Sequence, residues 1–123
     1  PAAAPVAMWQ TITADAAGIV GYSHQWQSVG FDHAAWAPLV MASADSIDEA
    51  AQANLFGMRV FRVSVGVDKQ HGETTCPASA EGGRRATCDA CMLCGGTSKL
   101  ARDIVIADHA VGHKRRVIML ATV

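Results

Sequence analysis

The chain has 123 residues, half of them apolar and 17% charged, a composition that suits one folded domain and excludes a disordered chain. Its net charge of −1 excludes a strong overall attraction to nucleic acid or anionic membranes. No apolar run reaches the ~20 residues that a membrane-spanning helix requires.

The charge is unevenly spread. Residues 1–73 hold seven acids and three bases, whereas residues 84–116 hold seven bases and three acids. An anionic partner would therefore meet the second stretch. The opening Pro1-Ala2-Ala3-Ala4-Pro5-Val6-Ala7 has neither a basic n-region nor a long apolar h-region, so it reads as a flexible start and not as a signal peptide.

In chain order, Met8 to Ala17 predicts a short helix with Met8, Trp9 and Ile12 on one side. Gly18-Ile19-Val20-Gly21-Tyr22 reads as a short buried strand, and Phe31 to Trp36 as a helical turn with Asp32 near its start and Pro38 closing it. Leu39 to Ser43 is a second apolar strand. Ser46 followed by Glu49 is a capping-box pattern that opens a helix, and Gly57 supplies its stop. Arg59 to Val65 is a β-branched strand. Short apolar strands alternating with helices predict the parallel sheet of an α/β protein.

Asp68 to Ser98 carries no apolar periodicity. A loop of that length inside a compact domain needs something to tie it down. Asp103 to Asp108 and Arg116 to Ala121 then predict two strands joined by a connector short enough for an antiparallel hairpin. The expectation is one domain over 1–123, with residues 68–98 as a metal-binding insertion.

The insertion holds all four cysteines, Cys76, Cys88, Cys91 and Cys94, spaced C-x11-C-x2-C-x2-C. Two-residue gaps let successive thiolates turn toward one point. Gly82-Gly83 and Gly95-Gly96 supply the backbone freedom for wrapping a small centre. Four thiolates suit either zinc or an iron–sulfur cluster. Structural zinc usually takes two separated C-x2-C pairs, whereas C-x2-C-x2-C is the run of bacterial ferredoxins, completed there by a Cys followed by Pro. Cys76-Pro77 offers that fourth ligand, ahead of the run instead of after it.

The favoured centre is a 4Fe-4S cluster with a structural or electron-transfer role. The C-x3-C-x2-C run that leaves one iron open for substrate is absent, which argues against radical chemistry. The alternative is a single zinc ion stabilising a non-enzymatic module that binds a host protein or nucleic acid through residues 84–116. Inert core cysteines would sit on apolar strands, whereas these lie among Arg84, Arg85, Thr87 and Asp89. A cytoplasmic setting keeps such thiols reduced.

Other candidates carry less. His71 is a possible substitute ligand, though four cysteines already complete a site. His109 and His113 read as loop or strand-end residues, and Lys114-Arg115-Arg116 as a solvated basic triplet. Tyr22, His24 and Gln25 follow a predicted parallel strand, on the side where α/β proteins place ligand pockets. Glycine fingerprints for nucleotides, a nucleophile elbow and a zinc-protease helix are all missing from the sequence.

Gly21-Tyr22-Ser23-His24-Gln25-Trp26, the acidic helix before Arg59-Val60-Phe61-Arg62-Val63, Cys76-Pro77-Ala78-Ser79, and the run from Cys88 through Cys91 to Cys94-Gly95 together resemble an uncharacterised family of bacteriophage and prophage proteins. The resemblance covers roughly residues 18–108, and the cysteine pattern is its most specific part. Members are longer at the N-terminus, with further β-α units. The resemblance implies a phage or prophage origin, in the cytoplasm of an infected or lysogenic bacterium. It also implies a barrel-like or partial-barrel α/β fold with the cysteines beyond a strand end. The fold expectation is therefore α/β, with a partial barrel-like or open, mainly parallel sheet, a Cys-rich metal-binding loop and a C-terminal strand pair.

Overall fold

The computed structural model describes residues 5–65 and 68–107. Among these residues five strands form one sheet: β1 (Tyr22–Ser23), β2 (Met41–Ala44), β3 (Val60–Ser64), β4 (Glu73–Thr75) and β5 (Asp103–Ala107). Their order across the sheet is β1-β2-β3-β5-β4, and every pairing is parallel. The sheet is open, as one of the two expected forms, with β1 and β4 at its edges.

Four helices accompany the strands among the described residues: α1 (Val6–Thr13), α2 (His33–Trp36), α3 (Ile47–Leu55) and α4 (Cys88–Cys91). The Ser46 hydroxyl accepts the Glu49 amide at 3.0 Å, the first half of the anticipated capping box. Glu49 reaches back one residue further than expected, its Oε2 accepting the Asp45 amide at 2.8 Å. Asp32 caps α2 in the same way, accepting the Ala35 amide at 3.1 Å.

Register and alternation divide the sheet into two faces. Tyr22 pairs with Met41, Ser43 with Phe61 and Phe61 with Ile104, so these side chains share one face. Ala42, Ala44 and Val60 point to the other. That second face is packed by Trp26, Trp36, Ala53 and Met58, and α3 crosses over it between β2 and β3. The first face is covered around Met41, Ile104 and Phe61 by Cys76, Leu93 and Cys94. The crossover from β4 to β5, residues 76–102, thus does with a cysteine-bearing loop what an α-helix usually does in a parallel sheet.

Several boundaries differ from expectation. The first helix starts at Val6 and ends at Thr13, so it begins inside the stretch read as a flexible start. The strand read over 18–22 is reduced to Tyr22–Ser23. Strand β4 lies inside the segment expected to lack regular structure. Glu73-Thr74-Thr75 offers no apolar signal; this edge strand is held by pairing to β5 and by a buried ion pair. The Arg62 guanidinium donates to both Glu73 oxygens at 2.7 and 2.8 Å, and to Asp68 Oδ1 at 3.2 Å. Both sides of β5 carry parallel partners, β3 and β4. The predicted strand at 116–121, the hairpin it was to form, His109, His113 and the 114–116 triplet all lie outside the described residues.

Candidate metal centre

Cys76 leaves the C-terminal end of β4, its amide donating to the Val105 carbonyl of β5 at 2.9 Å. Pro77 and Ser79 then turn the chain: the Arg85 amide donates to the Pro77 carbonyl at 2.7 Å, and the Ser79 hydroxyl to the Cys76 carbonyl at 2.6 Å. A Cβ on Gly82 would sit 2.0 Å from the Cys76 carbonyl oxygen, so this turn closes only around glycine. Thr87 leads into α4, the single helical turn that carries Cys88 and Cys91.

Met92 ends that turn in a left-handed conformation, φ 51°, unusual for a residue with a side chain. The reversal aims its thioether at the position of Gly18, where an added Cβ would lie 2.3 Å from the sulfur. Leu93 and Cys94 then run onto the sheet, with the Cys94 carbonyl accepting the Gly21 amide at 3.1 Å. Gly96, φ 64°, fits against the Ala37 carbonyl at a distance no side chain allows.

A residue that sequence reasoning missed locks the end of this loop. Arg59, 9% exposed, directs Nη1 at the carbonyls of Leu93 (2.8 Å), Gly96 (2.9 Å) and Lys99 (3.4 Å), and Nη2 at that of Arg102. Burial holds its pKa below the ordinary arginine value, with Asp103 and Cys94 pulling the other way. A charged residue at the mouth of an apolar strand was the available signal. Its partners, 34 to 43 residues away, were not.

All four cysteines line one cavity of about 590 Å³ over the cysteine-bearing face of the sheet. The cysteines are free; Cys94 is buried, Cys76 and Cys91 are half-buried, and Cys88 is exposed. Tyr22 and Phe61 form one wall, their rings 4.6 Å apart. Burial, then the influence of Cys94, Cys88, Cys76 and Cys91, pushes the Tyr22 phenol up to about 12. Burial also pushes the Cys94 thiol up to about 12, reinforced by Cys76, opposed by Arg59, and reinforced again by Cys91 and Cys88. One tyrosine and one thiol therefore both feel the other cysteines.

The thiols surround the cavity instead of meeting at a point. Among the described residues no group of three or more His, Cys, Asp or Glu side chains is close enough to hold a metal ion as placed. His71 is exposed in the turn before β4 and lies outside the cavity lining. His24 is exposed, 4.0 Å from Asp45 and outside the cavity lining, so of Tyr22, His24 and Gln25 only Tyr22 joins the cysteines. Arg84 lines the cavity, whereas the Arg85 Nε donates to the Gly82 carbonyl at 3.0 Å.

Compared with known proteins, the chain matches no family model, no curated protein sequence and no solved structure. No helix among the described residues is long and apolar enough to cross a membrane.

Proposed function

We propose that Cys76, Cys88, Cys91 and Cys94 hold one 4Fe-4S cluster whose role is structural or electron-transferring, in a protein of phage or prophage origin. The observation that carries this reading is the common cavity: cysteines from the end of β4, from α4 and from the loop beyond it all face it. A single zinc ion needs four sulfurs within about 2.3 Å of one point. A cluster spreads its ligands over several metal atoms, and so suits thiols set around a space.

Apolar cover from Leu93, Ile104 and Phe61 favours a centre shielded from water, and Arg59 supplies a positive charge beside Cys94. Such a cluster, when bound, supplies one-electron transfer. With four cysteine ligands it leaves no iron free for substrate. The chain's own contribution is to bring two segments together, to exclude water on the sheet side, and to fix the 93–102 backbone through Arg59.

Iron, zinc and acid-labile sulfide in protein purified without oxygen test the proposal. About four irons and four sulfides per chain are expected, with a brown colour. One zinc and no sulfide would replace the cluster by a zinc-stabilised interaction module. Absence of any metal would overturn both.

A further inference from the structure

The same cavity has lining residues besides the four cysteines. Its walls include the Tyr22–Phe61 ring pair, Val20 and Ile106, and its rim carries Arg84. Arg84 is the only charged residue in the lining, which contains no aspartate or glutamate. Among the described residues its guanidinium makes no hydrogen bond or ion pair. Its backbone is left-handed at φ 47°; with Met92 it is one of the two non-glycine residues with positive φ in the described chain, and both line this cavity.

A cation with no partner among the described residues, in the same cavity lining as an aromatic pair, suits a ligand with an anionic group at one end and a flat apolar body at the other. Arginine's planar fork matches a carboxylate through two parallel hydrogen bonds. The Tyr22 hydroxyl adds a hydrogen-bond donor to the wall. A space of about 590 Å³ is within the range of ordinary small-molecule pockets.

We infer that this cavity binds a small aromatic carboxylate, with Arg84 on the carboxylate and the Tyr22–Phe61 pair against the ring. The inference shares the cavity with the proposed cluster but does not depend on which metal, if any, the cysteines hold.

Hydrocinnamate and its neutral primary amide are suitable probes, titrated into the full chain as purified without oxygen. Tyr22 is the only tyrosine in the sequence, so its ring signals in NMR report the site without ambiguity. Hydrocinnamate is expected to shift those signals and to bind roughly tenfold more tightly than the amide, the scale of one charge-assisted contact. Arg84→Gln should erase the preference for the acid, and Arg85→Gln should keep it. Equal binding of acid and amide, no change at Tyr22, or equal loss in both arginine variants would overturn the inference. Iron content measured on the same sample keeps this outcome separate from that of the cluster.

Discussion

The two faces of the sheet are closed by different physics. On one, α3 and the segment through Trp26 and Trp36 pack apolar side chains against Ala42, Ala44 and Val60, with Trp26 and Val60 fully buried. On the other, a loop packs Cys76, Leu93 and Cys94 against Met41, Phe61 and Ile104, and its backbone is tied through the Arg59 contacts and the amides of Gly21, Cys76 and Thr97. The first face carries the larger buried cluster, and the second carries the cavity that all four cysteines line. This division locates stability on one side and the candidate chemistry on the other.

The sharpest way to break the comparison is to hollow out the packed face. Trp26→Ala removes a fully buried ring and its 2.8 Å hydrogen bond to the Ser43 carbonyl. It should cost about 4 kcal/mol in denaturant unfolding. The proposed cluster should nevertheless keep the same iron content per folded chain as in the unaltered protein.

Glu73→Gln comes next, because it takes the bidentate carboxylate from Arg62 (2% exposed) and leaves Asp68 as its one described carboxylate. A loss of about 3 kcal/mol is expected. Burial alone would raise the Glu73 carboxyl, but the Arg62 hydrogen bonds, the Gln70 amide and the Arg62 charge outweigh it and hold it below its ordinary 4.5. A depressed carboxylate stabilises the fold fully above its unfolded pKa and loses that contribution as pH falls through the folded one. Wild-type stability should therefore decline below pH 4.5, with a shallower decline in the variant.

Arg59→Met tests the anchored face directly. Four carbonyls lose their donor, at a cost of about 2 kcal/mol. Amide exchange should accelerate over residues 93–102 while α3 keeps its protection. Ser46→Ala, by contrast, removes only the cap of α3 and should lower stability by about 1 kcal/mol, with no change in metal content.

How much of this was readable in the sequence follows the same division. The packed face announces itself locally: Ser46 and Glu49 mark a helix start, Asp32 another, and Leu39–Ser43 and Arg59–Val65 read as strands. The open parallel α/β sheet follows from those alternations. The four cysteines were legible as a set, by spacing alone. Strand β4 was not, since Glu73-Thr74-Thr75 is polar and its strand character comes from β5 and Arg62. Arg59 was missed for a related reason. Its acceptors are backbone carbonyls, which leave no mark on residue type. Tyr22 was noticed beside His24, but its place next to the cysteines was not, because only the sheet register turns it toward them.

The account stands on cysteines from two separate segments acting as one centre, and Cys76 is the member that tests it. It follows β4, twelve positions ahead of Cys88, and nothing local ties it to the C-x2-C-x2-C run. Iron and sulfide content of the Cys76→Ser variant, purified without oxygen beside Cys91→Ser and the unaltered chain, is the direct measurement. Both variants are expected to lose bound iron and sulfide to a similar extent. Full iron and sulfide in Cys76→Ser, with loss only in Cys91→Ser, would contradict a centre shared between the two segments.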